Sequence, residues 1–180
     1  AAIMLLSFTL WFALSLLTSM QEKTSGRWQR NMVLLIICLV GVQLIYGGFM
    51  AGLKAAQTAP TWPSINGKMI PDHLGTEDSY FKNATWNPIA IHFIHRGLAY
   101  LIFFVSLIYF FSTRKMVMTS VYKKCRNVFA FLLVSQIALG IITLLKATSG
   151  NAFIWIAAAH QFVAMLLVMS LVTLFYLSKK

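Results

Sequence analysis

The chain has 180 residues, of which 59% are hydrophobic and 11% charged, and this composition excludes an ordinary soluble domain of this length. Its formal net charge of +11 would suit a nucleic-acid partner, but the basic residues cluster between apolar segments, as membrane topology and anionic headgroups require. We therefore expect a protein that lies in a lipid bilayer and binds no nucleic acid.

Five apolar segments follow one another, each close to the ~20 helical residues that cross a bilayer. They cover residues 1–18, 32–53, 89–112, 127–145 and 152–177. The sequence thus predicts an all-α integral membrane protein with five transmembrane helices. The first segment lacks the basic start and the cleavage site of a signal peptide, and it begins without Met, which indicates a fragment whose N-terminal portion is missing.

The basic residues predict the orientation of these helices. If successive helices alternate in direction, three basic regions share one side of the membrane, and the positive-inside rule makes that side the cytoplasm or the mitochondrial matrix. The N-terminus then lies on the outer side and the C-terminus on the inner side of a bacterial plasma membrane or mitochondrial inner membrane. The residues concerned are Lys23, Arg27, Arg30, Arg114, Lys115, Lys123, Lys124, Arg126, Lys179 and Lys180.

The connection 54–88 is the one sizeable loop that the sequence predicts, and on the expected topology it lies on the outer side. It holds all four prolines together with Trp62 and Trp86, whose rings suit the membrane interface. Loops of this length are uncommon unless they are functional or disordered. We interpret it as a lid over the outer end of the helices; a merely solvated connector is the alternative.

A short pattern occurs twice. Gln43 and Gly47 precede a Leu-Lys-Ala triplet in the second segment, and Gln136 and Gly140 precede the same triplet in the fourth. Each triplet is followed by a loop and by a helix with a histidine near its outer end. The repeat predicts that residues 32–177 form a four-helix bundle of two hairpins, related by a pseudo-two-fold axis along the membrane normal.

Histidines carry the predicted chemistry, because an ionisable side chain inside a membrane segment is costly and marks a functional site. His95 and His160 lie about six and eight residues from the outer ends of their segments, which corresponds to depths of roughly 9 and 12 Å. Both helices run inwards, so the repeat places the two imidazoles opposite each other at a similar level. This arrangement predicts two axial ligands of one haem iron.

The polar neighbours of these histidines fit a haem but leave alternatives open. Arg96 would pair with a haem propionate, or reach outer water from the helix end. Lys54 would assist, or snorkel to the interface. Gln43 and Gln136 would contact the surroundings of the porphyrin, or bind each other or a carbonyl across helices. Glycines and alanines near both histidines would make room for a flat macrocycle, or serve tight helix packing.

Two further histidines receive weaker interpretations. His92 lies three residues before His95 and does not point in the same direction, so we expect it at the haem edge or facing the loop. His73 is expected to be solvated. No carboxylate lies within an apolar segment and no Cys–His cluster has zinc spacing, which argues against metal-hydrolase chemistry.

Several motifs resemble those of the haem A synthase family, in the same order and spacing. They are GFMAGLKA at 48–55, TWP at 61–63, FIHRGLAY at 93–100, LGIITL at 139–144 and HQ at 160–161. The resemblance implies eight transmembrane helices in two homologous halves, with this chain as the C-terminal half and residues 1–18 as the last helix of the N-terminal half. One departure is His92, which stands where the family has glutamine; another is the lack of a cysteine pair in the outer loops.

The resemblance also implies a function. His95 and His160 would hold a haem b cofactor, while the missing half would hold the substrate, haem O, and a functional glutamate. The family oxidises a methyl group of haem O to the formyl group of haem A for terminal oxidase assembly, so haem O synthase or oxidase assembly factors and an unidentified electron partner are expected. The chain alone is not expected to suffice for catalysis. A stand-alone bis-histidine membrane cytochrome and a helical bundle without haem are the alternatives.

Overall fold

A computed structural model describes residues 2–19 and 26–178, and the regular secondary structure in these ranges is helical. The predicted all-α class is therefore confirmed. The helices in chain order are α1 (Ala2–Leu17), α2 (Arg27–Gly52), α3 (Ala55–Thr58), α4 (Tyr80–Trp86), α5 (Pro88–Arg114), α6 (Ser120–Leu145) and α7 (Asn151–Leu177).

Four of these helices are long and apolar enough to cross a membrane. They are α2, α5, α6 and α7, with 26 or 27 residues each and mean hydropathies between 1.7 and 2.5. α1 is apolar throughout, but its 16 residues are fewer than the ~20 that cross a bilayer. In the described residues the structure thus gives four candidate spans, and the fifth transmembrane helix stays a prediction.

The exposed surface of the four spans is largely apolar. In the apolar 18-residue window of each span, only 6–22% of the residues are buried. Large apolar side chains such as Ile45, Phe104, Phe131 and Phe162 are exposed by more than half of their area. Water would make this exposure costly, whereas hydrocarbon does not, so the chain is an integral membrane protein.

The spans extend beyond the apolar segments at their polar ends. α2 begins at Arg27 and α6 at Ser120, several residues before the predicted starts at 32 and 127. Hydropathy drops at charged residues, but the backbone continues its hydrogen-bonded turns into the interface, and this explains the difference. α2 ends at Gly52, and Lys54 then adopts the left-handed conformation with φ 52°, which redirects the chain.

The connection 54–88 contains two short helices, α3 and α4, that the sequence did not predict. Ser79 caps α4, since its hydroxyl oxygen accepts a hydrogen bond from the backbone nitrogen of Lys82 at 3.2 Å. The expected exposure of His73 is confirmed. The connection is therefore an ordered structure, and its role as a lid stays a prediction.

Asn87 ties the second part of this connection to the start of α5. Its side-chain nitrogen donates to the carbonyl oxygen of His73 at 2.7 Å and lies 3.0 Å from the hydroxyl of Thr76. Its side-chain oxygen accepts from the backbone nitrogens of Ile89 and Ala90 at 3.0 and 3.2 Å. One buried amide thus caps the helix and fastens the connection.

Asn87→Ala is expected to destabilise the chain by about 1–2 kcal/mol, because it removes a helix cap and leaves buried backbone groups without partners. Thermal unfolding of the detergent-solubilised protein measures the loss. Asn31→Ala is the matched control, since the Asn31 side chain is exposed on α2. Equal effects of the two substitutions would contradict the assignment of Asn87 as an anchor.

The described chain forms two compact units. Unit 1 comprises Ala1–Val40, Ile102–Gln136 and Gln161–Lys180, and unit 2 comprises Gly41–Leu101 and Ile137–His160. Buried residues of unit 1 include Tyr109, Tyr122 and Phe129, and those of unit 2 include Ala55, Ala59, Ile65 and Ile91.

The predicted site residues fall mostly into one of these units. His95, His160, Arg96, Lys54 and Gln43 belong to unit 2, whereas Gln136 belongs to unit 1. Three of the basic residues used for the predicted orientation, Lys23, Lys179 and Lys180, lie outside the described residues. The orientation and the assignment of residues 1–18 to a preceding half therefore stay predictions.

Candidate functional site

His95 on α5 is paired with Gln43 on α2. The side-chain nitrogen of Gln43 lies 3.2 Å from Nε2 of His95, so one ring nitrogen of the imidazole is hydrogen-bonded to an amide. The other ring nitrogen, Nδ1, is buried and has no hydrogen-bond partner among the described residues, and neither has Oε1 of Gln43. Buried polar atoms are normally satisfied, and an exception calls for an explanation such as a ligand.

A glycine lies against each of the two imidazoles. A Cβ atom at Gly140 would lie 3.1 Å from Cε1 of His160, and one at Gly47 would lie 3.7 Å from Cε1 of His95. The glycines of α6 and α2 therefore make space for the histidines of α7 and α5. The sequence predicts that glycines near the histidines make room for a macrocycle or serve helix packing, and the structure shows that Gly47 and Gly140 accommodate the imidazole rings.

The two imidazoles belong to the same unit. Both side chains are half-buried. In the described part of the chain, no group of three or more histidine, cysteine, aspartate or glutamate residues lies together in a way that could hold a metal ion. A haem iron needs fewer protein ligands, because the porphyrin supplies four nitrogens and leaves two axial positions.

Arg96 makes contacts that the sequence did not predict. Its guanidinium donates to the carbonyl oxygen of Pro63 at 2.7 Å and to that of Thr61 at 2.9 Å. It also lies 3.0 Å from Nε2 of His92. The residue next to His95 is thus bound to the connection 54–88, and a contact between Arg96 and a propionate stays a prediction.

For the remaining predicted site residues, the structure gives a position and a degree of exposure. Lys54 is exposed, at the turn between α2 and α3, and its contact with a propionate stays a prediction. Gln136 is half-buried on α6. His92 was expected at the haem edge or facing the loop. It is buried and contacts Arg96, which in turn donates hydrogen bonds to the connection 54–88. The spacing of four residues between His92 and Arg96 was the available sequence signal, because such a pair shares a helix face.

Residues 1–172 match the model of the COX15-CtaA family, which is described as cytochrome oxidase assembly protein. The chain belongs to this family. Curated relatives agree with it: the haem A synthase of Bartonella quintana is 32% identical over 148 residues, covering 82% of this chain and 40% of the relative. The haem A synthase of Methylobacterium radiotolerans is 36% identical over 138 residues, covering 76% of this chain and 36% of the relative.

The match covers only part of each relative. The haem A synthase of Flavobacterium psychrophilum is 29% identical over 163 residues, which cover 89% of this chain and 47% of that protein. The chain thus spans less than half the length of these three relatives. No solved structure matches the chain. The family predicted from the motifs is confirmed.

Proposed function

We propose that this chain is the C-terminal half of a haem A synthase, and that it binds a haem b through His95 and His160. The observation that supports this most directly is the pair of imidazoles in one unit, each packed against a glycine of another span. Neutral imidazole is a common protein ligand of haem iron, and His95 and His160 would supply the two imidazoles of a bis-histidine haem. When bound, the haem would supply one-electron transfer.

The residues present fit that group. An axial imidazole binds iron through one ring nitrogen, and its orientation is held by a hydrogen bond to the other. The His95 ring has Nε2 near the Gln43 amide and a buried Nδ1 without a protein partner, so Gln43 would support ligation of the iron through Nδ1. Gln43 would therefore position His95, whereas a contact of Gln136 with the surroundings of the porphyrin stays a prediction.

The repeat supports a symmetric site. Gln43, Gly47 and His95 stand in the same order and in corresponding segments as Gln136, Gly140 and His160. Both glycines face the imidazole of the hairpin to which they belong. We propose that a pseudo-two-fold axis relates the two hairpins and passes through the haem site.

The substrate chemistry would take place in the other half of the protein. The four apolar spans of this chain contain no carboxylate, and two protein ligands on one iron leave no position for oxygen. This chain would therefore relay electrons for the oxidation of the methyl group of haem O to the formyl group of haem A. Haem O, an electron partner and haem O synthase or oxidase assembly factors are the partners expected for the whole protein.

A spectrum of the chain itself tests the proposal. Expression with an adequate haem supply and purification in detergent is expected to yield about one haem b per chain, with the sharp α band of a low-spin, bis-imidazole iron. Pyridine haemochrome analysis counts the haem and identifies it as type b. Recovery of a folded chain without bound haem would favour the alternative of a helical protein whose histidines are merely packed.

Gln43→Leu tests the proposed support of His95. The substitution roughly keeps the side-chain volume but removes the amide, and loss of the hydrogen-bond partner of a metal ligand typically lowers metal affinity by about 10- to 100-fold. We expect the low-spin spectrum to persist with about 10-fold weaker haem retention. Gln57→Leu changes an exposed glutamine and serves as the control. Unchanged retention in Gln43→Leu would show that the amide does not support the ligand.

A further inference from the structure

Residues 58–68 form a turn that is braced by its own hydrogen bonds. The hydroxyl of Thr61 donates to the carbonyl oxygen of Ser64 at 2.9 Å and accepts from the backbone nitrogen of Asn66 at 2.9 Å. The backbone nitrogen of Ile65 donates to the carbonyl oxygen of Lys68 at 2.8 Å. Ile65 is 2% exposed. These hydrogen bonds lie within the segment itself.

Arg96 is an attachment of this turn to α5. Its two terminal nitrogens donate to the carbonyl oxygens of Pro63 and Thr61 at 2.7 and 2.9 Å. Hydrogen bonds from a charged donor are stronger than those between neutral groups, and the planar fork fixes their direction. Arg96, on the same helix as His95, thus binds the turn through two carbonyl oxygens that are two residues apart.

His92 holds the guanidinium in this position. It lies four residues before Arg96 on α5, is 2% exposed, and places Nε2 at 3.0 Å from the nitrogen of Arg96 that also contacts Thr61. Arginine has only donors, so Nε2 of His92 accepts and the imidazole is neutral with its proton on Nδ1. A neutral, buried acceptor is what a cation at this site needs, because a second positive charge would repel it.

We propose that His92 and Arg96 form a latch, that this latch closes residues 58–68 over the helix of His95, and that haem enters and leaves the site when it opens. The second part rests on the proposed haem site, whereas the closure of the turn does not depend on it. Arginine carries five N–H donors and the latch uses three of them, so a propionate could still be bound while the turn is held. The residue after the iron ligand thereby connects the position of the turn to the occupancy of the site.

Hydrogen exchange of the chain without haem tests the closure of the turn. Arg96→Gln removes the charged fork, and amides within residues 58–68 are expected to exchange about 10-fold faster, as the loss of about 1.4 kcal/mol of local stability requires. Amides within residues 73–87 are the internal control, because Asn87 fastens them independently. Their exchange is expected to stay within about 2-fold of that of the unsubstituted chain.

A matched pair of substitutions at His92 isolates its role as an acceptor. His92→Leu keeps an apolar side chain of similar size but offers no acceptor, and faster exchange in residues 58–68 is expected. His92→Gln offers an amide oxygen to Arg96, so exchange close to that of the unsubstituted chain is expected. If Arg96→Gln does not fold, this pair carries the test. Identical exchange in the Leu and Gln variants would overturn the latch.

Transfer of haem to an excess of an acceptor protein tests the second part. Arg96→Gln and His92→Leu are expected to release haem about 10-fold faster, with the low-spin spectrum retained before transfer, because His95 and His160 are unchanged. His92→Gln is expected to release haem at the original rate. Faster release without faster exchange in residues 58–68 would overturn the latch and make Arg96 a propionate partner only.

A chain that binds no haem would refute the proposed function, while the exchange data would still decide the closure of the turn.

Discussion

His95→Ala and His160→Ala are each expected to abolish the low-spin haem spectrum of the purified chain. Either substitution removes one of the two imidazoles on which a low-spin, bis-imidazole iron depends. We expect haem retention to fall by about 100-fold or more, which corresponds to ~2.7 kcal/mol of binding free energy. Any residual haem should be high-spin or hold water at the vacant position. Absorption and electron paramagnetic resonance spectra of the two variants measure the change.

His73→Ala is the control for both substitutions, because His73 is exposed and lies in the connection 54–88. It should bind haem as the unsubstituted chain does. A spectrum that survives in His95→Ala or in His160→Ala would contradict ligation by that residue. If only one of the two substitutions removed the spectrum, the haem would have a single protein ligand from this pair, and the symmetric site would be wrong.

Gly140→Val is expected to have the second largest effect. Even a Cβ atom at this position would lie 3.1 Å from Cε1 of His160 and 3.7 Å from both ring nitrogens, and valine adds two methyl groups to it. The imidazole has to turn away, and a displaced axial ligand no longer reaches the iron. Overpacking of this kind typically costs 1–3 kcal/mol, so we expect haem retention to fall by about 10- to 100-fold.

Gly48→Val provides the matched control for this substitution. A Cβ atom at Gly48 would meet no other group within 4 Å, and the residue is exposed on α2. The same added volume should therefore leave haem retention and the spectrum unchanged. Gly47→Ala should lie between these extremes, because the corresponding Cβ would make an ordinary contact of 3.7 Å with His95. Equal haem loss in Gly48→Val and Gly140→Val would point to a general effect on helix packing.

Much of the architecture could be predicted from local properties of the chain. The four long spans correspond to four of the five predicted segments, because length and apolar composition decide whether a helix can lie in hydrocarbon. The histidines stood out because a titratable ring in such a segment is costly. The motifs at 48–55 and 93–100 identified the family, and the comparison with known proteins confirmed it. α4 escaped prediction because its seven residues are too few for a periodic pattern.

Only the tertiary structure decided which partners the polar groups take. Gln43 contacts a histidine 52 positions further along the chain, and Arg96 binds a carbonyl 33 positions before it. The sequence marked both side chains as buried groups in need of a partner, but every residue supplies a carbonyl oxygen, so the choice was open. It depends on where the turn 58–68 folds and on which helix faces meet. Hydropathy and periodicity describe the surroundings of a residue along its own helix, whereas a hydrogen bond between distant positions is determined by the packed fold.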